Sequence, residues 1–222
     1  MERRNALITG ASRGLGAAIA LGLAEAGFDL TISARGEPGL VSVAQAAQEL
    51  GSIVHVHAAN LRSDEEISGL VAAHAARFGA LDLLVVNAGM GYTYTLAELP
   101  VARFDTIMKI NLRAPFLLIQ EALPLLRAAA ARRAEFGGKV IAVSSLTAVA
   151  SEAGLGAYAA SKAGLASLCQ TLTIEEWAQG VSASVISPGY VATLVVAMSK
   201  LSARASIPAL PLTRPGPNIW RA

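Results

Sequence analysis

Cysteine is almost absent from this 222-residue chain: Cys169 stands alone, so no internal disulfide can form. That usage fits a reducing compartment, and a cytoplasmic location is expected. Charge is also scarce, at 15% of residues, and nearly balanced, with 18 basic against 16 acidic side chains. Beyond the pairs Arg3-Arg4 and Arg132-Arg133 the arginines are scattered, and the net charge is only +2. Neither a nucleic acid nor an anionic membrane surface is therefore expected as partner. No run of about 18 apolar residues occurs, so no membrane span is expected. The first apolar segment, Ala6-Leu7-Ile8, is too short for a signal sequence. His55 and His57 alternate along one stretch and His74 lies further on, a spacing that holds no metal. They are read as core or edge histidines, Cys169 as a packed helix residue and Trp177 as a core or interface aromatic.

What the chain has in plenty is apolar residues, 54% of the total. A parallel sheet covered by helices on both faces needs such strands. The apolar periods alternate between strand and helix from the start. Strands are predicted over Ala6–Thr9, Leu30–Ser33, Ile53–Ala58, Leu83–Asn87, Lys139–Ser144 and Ser182–Ser187. Helices are predicted over Leu15–Ala26, Val41–Leu50, Asp64–Phe78, Val101 to about Arg133, and Ala157–Gln179. Gly27, Gly51 and Gly79 follow helices as stop signals, and Pro115 and Pro124 mark turns or kinks. Repeated βα units of this length give a Rossmann-type α/β fold, a doubly wound parallel sheet of about seven strands in three layers. With no internal repeat or linker, residues 1–222 read as one domain.

Between the first strand and helix lies Thr9-Gly10-Ala11-Ser12-Arg13-Gly14-Leu15-Gly16. Glycines allow a tight turn and let a phosphate approach the backbone. The helix N-terminus beyond them presents free N–H groups and a positive dipole end. Further on, Tyr158 and Lys162 are four residues apart on a predicted helix, hence one above the other on the same face. An ammonium beside a phenol favours the phenolate and makes a tuned proton donor. Ser145 ends a predicted strand and can offer its hydroxyl to the oxygen that Tyr158 protonates.

The spacing T-G-x-x-x-G-x-G resembles the short-chain dehydrogenase/reductase family. The resemblance continues through Asn87-Ala88-Gly89, Asn111, Ser145, Tyr158-x-x-x-Lys162 and Ser187-Pro188-Gly189, over residues 5 to about 190. By that resemblance Tyr158 is the acid/base, and Lys162 its tuner and a ribose ligand. Ser145 positions the carbonyl, with Ser144 as rival, and Asn111 holds a proton-relay water. Gly10, Ser12, Arg13, Gly14, Leu15 and Gly16 bind the dinucleotide phosphates, and Asn87, Ala88 and Gly89 flank the adenosine ribose. Pro188, Gly189 and Val191 complete the cofactor-binding set. The implied activity is hydride transfer between a nicotinamide and a small-molecule carbonyl or alcohol, in a homodimer or homotetramer; the helices starting at Val101 and Ala157 resemble those that pair across the family's dimer interface, and their apolar faces would equally suit the monomer core. The alternative is a non-catalytic dinucleotide-binding sensor or scaffold.

An acid at the end of the second strand selects NAD. Here that end reads Ser33-Ala34-Arg35. Arg35 and Arg13 can instead clamp a 2′-phosphate, so NADP(H) is the expected cofactor. Where the family places Asp and an aliphatic residue against the adenine, this chain has Asn60-Leu61, and a weaker contact is expected.

The pattern breaks after Gly189. The family continues with a helical lid over the substrate before its last helix and strand, but here Val191–Leu201 already reads as that helix and Ser206–Leu212 as that strand. The lid is missing near 190–193. Either it is deleted, leaving an open site, or a segment near Tyr190 is absent from the sequence as read. A direct splice leaves almost no connecting loop, which favours the second.

Overall fold

The computed structural model describes residues 3–187 and 210–211. Strands and helices alternate as β1 (Arg4–Thr9), α1 (Gly14–Glu25), β2 (Phe28–Ala34), α2 (Pro38–Glu49), β3 (Val54–Ala58), α3 (Asp64–Phe78) and β4 (Leu83–Val86). There follow α4 (Val101–Met108), a π-helical turn (Lys109–Arg113), α5 (Ala114–Arg132), β5 (Gly138–Val143), α6 (Gly156–Glu176), β6 (Val181–Ser187) and β7 (Leu210–Pro211). The strands form one sheet in the order β3-β2-β1-β4-β5-β6-β7, with every described pairing parallel. This is the doubly wound Rossmann-type fold.

The period-2 geometry of a strand sends neighbouring side chains to opposite faces. Ala6, Ile8, Leu83, Val85, Ile141 and Val143 therefore join one buried layer with Ile19 and Leu23 of α1 and Leu40 of α2. Leu7, Leu84, Val86, Val140 and Ala142 join the other with Leu70 of α3, Leu118 and Leu126 of α5 and Leu165 of α6. Burial on both faces is why these strands read as unbroken apolar runs. The strand order reverses between β1 and β4, and the crevice beyond their carboxyl ends is where such sheets bind ligands. The functional loops converge there.

Three details depart from the sequence reading. The long helix from Val101 is interrupted, but by the π turn at Lys109–Arg113. Pro115 has no N–H to give the Asn111 carbonyl four residues back, so the ordinary helical bond cannot form there. Pro124 sits exposed inside α5 and ends nothing. Third, Val101–Arg132 as one helical stretch is long and apolar enough to cross a membrane. Its apolar face is instead packed into the protein through Leu118, Ala122 and Leu126. β3 is the sheet edge, which places His55 and His57 there, half-buried. Among the described residues no His, Cys, Asp and Glu cluster can hold a metal. The predicted helix Val191–Leu201, most of the strand Ser206–Leu212 and the junction near Tyr190 lie outside the described residues.

Candidate active site

The glycine loop begins where β1 ends. Gly10 has φ +68°, a left-handed value open to glycine. A Cβ at Gly16 would overlap the Gly10 carbonyl and stand 2.6 Å from Asn87 Nδ2. The third glycine thus lets α1 pack hard against the loop. Thr9 and Asn87 lock that arrangement. Asn87 Nδ2 donates to the carbonyls of Thr9 (3.0 Å) and Gly10 (3.2 Å). Thr9 Oγ1 accepts from the N–H groups of Asn87 (3.1 Å) and Ala88 (3.2 Å) and donates to Val85 O. The Asn87 side chain therefore serves the loop, and the backbone of Asn87, Ala88 and Gly89 faces the cleft.

That cleft has a volume of about 850 Å³ and runs across the switch point. Gly10, Ser12, Arg13, Gly14, Leu15 and Gly16 line one side. Arg35 closes the end of β2, and Asn60 and Leu61 that of β3. Arg13 and Arg35 are exposed, and among the described residues neither side chain has a hydrogen bond or ion pair. Asn60 Oδ1 accepts from Arg62 N at 3.2 Å, so one of its lone pairs is already used. Pro188, Gly189 and Val191 lie outside the described residues. A second cavity, of about 910 Å³, opens between the start of α3 and the α4–α6 face and contains none of the predicted site residues.

Beside the cleft, α6 presents Tyr158 and Lys162 as the i,i+4 spacing requires. The Lys162 ammonium lies 5.9 Å from the Tyr158 ring centroid and donates to Val143 O at 2.7 Å. Lys162 is only 3% exposed, and burial pushes its pKa down to about 8. Behind it the buried Cys169 thiol is pushed up to about 12 by the same desolvation, so it is an inert packed residue. Two glycines make room for the pair. A Cβ at Gly89 would stand 3.2 Å from Lys162 Nζ, and one at Gly91 would stand 3.2 Å from Tyr158 Cδ2. Among the described residues nothing hydrogen-bonds the Tyr158 hydroxyl.

Ser144 and Ser145 part ways at the end of β5. Ser144 is buried and donates to Lys162 O at 3.1 Å, as a hydroxyl holding helix to strand. Ser145 is half-buried, and its Oγ accepts from Thr147 N (3.2 Å) and Thr147 Oγ1 (3.0 Å). With both of those as acceptor bonds, its own proton remains to be given. Asn111 is fully buried in the π turn. Its Oδ1 accepts from Met90 N (2.9 Å), and its Nδ2 donates to Met90 O (2.7 Å) and Ser161 Oγ (3.1 Å). Both side-chain N–H donors are thus used inside the protein, so they are not free to hold a relay water.

The sequence pattern of a short chain dehydrogenase matches residues 4–203. The chain belongs to the short-chain dehydrogenase family. It is similar to the D-beta-hydroxybutyrate dehydrogenase of Rhizobium meliloti, 32% identical over 196 residues covering 87% of this chain and 73% of the relative. It superposes on a metagenomic short-chain oxidoreductase in complex with NADP, at a TM-score of 0.87 and 31% identity over 96% of this chain and 97% of the other. It also matches the NADH-dependent reductase A1-R′ complexed with NAD, at a TM-score of 0.80 and 28% identity over 86% and 79% of the two chains. The fold brings Tyr158, Lys162 and Asn111 against the Gly89-Met90-Gly91 wall of the glycine cleft, and Ser145 follows the end of β5. Thr9, Met90 and Gly91 also serve the site, and sequence reasoning gave them no role. A signal was available for Gly91, since Gly89-Met90-Gly91 repeats glycine on alternate positions just after a strand.

Proposed function

We propose that this chain is an NADP(H)-dependent oxidoreductase that interconverts a carbonyl and a secondary alcohol, with Tyr158 as the acid/base. The observation that carries this reading is the pairing of an unengaged Tyr158 hydroxyl with the desolvated Lys162 ammonium beside the glycine cleft. A sensor that only binds a dinucleotide has no use for that pair. The cleft suits such a cofactor: Gly10 and Gly16 let the loop pack tightly against Asn87 and α1, a Cβ at Gly14 would meet only open space, and the N-terminus of α1 faces the cleft. Gly10, Ser12, Gly14, Leu15 and Gly16 would hold the phosphates, and Arg13 and Arg35 the 2′-phosphate. When bound, the nicotinamide supplies or accepts the hydride.

The chain's own residues handle the proton. In reduction Tyr158 gives its phenolic proton to the substrate oxygen, and in oxidation it takes that proton back. Ser145, anchored by Thr147, donates to the same oxygen and holds it in place. Lys162 spends one of its three N–H groups on Val143 O, which leaves two for a ribose hydroxyl and for the side of the phenolate. Residues 1–222 act as a single domain in this reading. The α4–α6 face, where Phe104 and Phe116 are exposed, is the contact of a homodimer or homotetramer.

Tyr158→Phe tests the assignment. NADPH binding should stay within about twofold, while turnover falls by about 10²–10⁴, the scale of a lost general acid. A variant that keeps most of its turnover sinks the reading. A wild-type protein that binds NADPH tightly but reduces no member of a carbonyl panel would establish the sensor.

A further inference from the structure

We propose that Ser161 is a positioning residue that keeps the segment 89–91 seated against the acid/base pair, acting through Asn111 and Met90. The proposal deepens the oxidoreductase reading and rests on it. The argument starts from donors and acceptors. Met90 N–H can only donate and Met90 C=O can only accept, so they fix which end of the Asn111 amide faces which. Nδ2 then has one hydrogen left, and it points to Ser161 Oγ at 3.1 Å. Ser161 must accept there, so its own proton goes to Tyr158 O at 2.7 Å. Every proton in the chain from Met90 through Asn111 and Ser161 to Tyr158 has a single assignment.

The geometry gives this chain a consequence. Asn111 grips both polar groups of Met90, and Met90 lies between Gly89 and Gly91. Gly89 backs onto the Lys162 ammonium and Gly91 onto the Tyr158 ring. Ser161 belongs to the same helix as Tyr158 and Lys162, so it ties that helix to the wall behind its own catalytic side chains. Asn111 and Ser161 are both fully buried, so water cannot replace a lost partner. Without Ser161 Oγ, Asn111 keeps an unpaired N–H and turns to seek another acceptor. Met90 is then held on one side only, and the wall behind Tyr158 and Lys162 loosens.

Ser161→Ala should lower kcat about tenfold or more, since an ångström of misplacement costs on the order of 10²-fold. The KM for the carbonyl should stay within about twofold, because Ser161 itself meets only Asn111 and the Tyr158 carbonyl. Amide exchange over residues 88–92 should quicken at least about tenfold. A merely structural serine would lower the melting temperature and leave kcat and that exchange alone, and such a result overturns the proposal. The double variant Ser161→Ala with Asn111→Ala should be no slower than Asn111→Ala; effects that multiply would also overturn it. If Ser161→Ala does not fold, Ser161→Cys, nearly isosteric but a weak acceptor, is judged by the same split. A wild type that turns over no carbonyl would end the oxidoreductase reading, while the exchange at 88–92 still decides the role of Ser161.

Discussion

Two glycines, each inside a helix, should respond to the same substitution with opposite signs. Gly16 lies in the first turn of α1 and Gly69 in the middle of α3. Alanine is the better helix former by about 1 kcal/mol, through the smaller backbone entropy it loses on folding. At Gly69 a Cβ meets nothing within 4 Å, so Gly69→Ala should gain about 0.5–1 kcal/mol. At Gly16 the same methyl overlaps the Gly10 carbonyl and falls 2.6 Å from Asn87 Nδ2, well inside van der Waals contact. Neither neighbour yields cheaply. The Gly10 carbonyl is backbone in a tight turn, and Asn87 Nδ2 is held by two carbonyls at 3.0 and 3.2 Å. Overpacking of this kind costs about 1–3 kcal/mol, and releasing the Asn87 bonds about 1 kcal/mol each. Set against the helix gain of about 1 kcal/mol, Gly16→Ala should destabilise by roughly 2–4 kcal/mol.

Urea unfolding followed by circular dichroism reads both changes, provided the slopes match the wild type. The phosphate loop would also have to shift, so Gly16→Ala should weaken NADPH at least about tenfold, equivalent to about 1.4 kcal/mol, while Gly69→Ala leaves it unchanged. A Gly16→Ala protein as stable as the wild type would refute the claim that the third glycine exists for packing. So would a Gly69→Ala loss of similar size, since steric contact would then not be the discriminating cause.

With Arg35 as the proposed 2′-phosphate ligand, Arg35→Ala should weaken NADPH by about 1–3 kcal/mol and leave NADH nearly unchanged in a fluorescence titration, whereas equal losses would contradict that assignment. His74 is fully buried, with Nε2 facing Ala80 O and Asn5 Oδ1 and Nδ1 facing Thr31 Oγ1, and burial holds its pKa down to about 4 from an ordinary 6.5. The unfolded chain therefore takes up a proton first, and stability should fall by on the order of 3 kcal/mol as pH drops from 6.5 to about 4. His74→Gln should flatten that part of the stability curve, and an unchanged slope would show that His74 does not cause it. Lys162 works at the other end: with its pKa at about 8 against 10.5, the folded protein without cofactor loses the proton first, so stability should rise with pH between those values. Lys162→Met should reduce that rise, and urea midpoints at pH 7.5, 9 and 10.5 that stay parallel to the wild type would contradict it.

The legible part of this molecule is the part governed by short-range pattern. Unbroken apolar strands between glycine-stopped helices led to a covered parallel sheet, because burial on both faces leaves no polar alternation to mislead. Tyr158 and Lys162 could be paired from spacing alone, since four residues on a helix fix a direction. The choice of Ser145 over Ser144 shows a limit of the same logic. Both hydroxyls follow β5; the thirteen-residue spacing to Tyr158 favours Ser145 by resemblance alone, and the contact of Ser144 with Lys162 O is the physical difference between them. Asn111 was legible in place but not in partner. Its amide reaches Met90 and Ser161, 21 and 50 residues away, through a π turn that no apolar period announces. The chemical hint was Pro115, whose missing N–H denies the Asn111 carbonyl its helical bond. In sequence it reads only as a turn or kink, because a proline marks where a hydrogen bond is lost, not how the backbone reorganises around the loss. Here the reorganisation is one wider turn, and that turn is what carries Asn111 to the wall behind Tyr158 and Lys162.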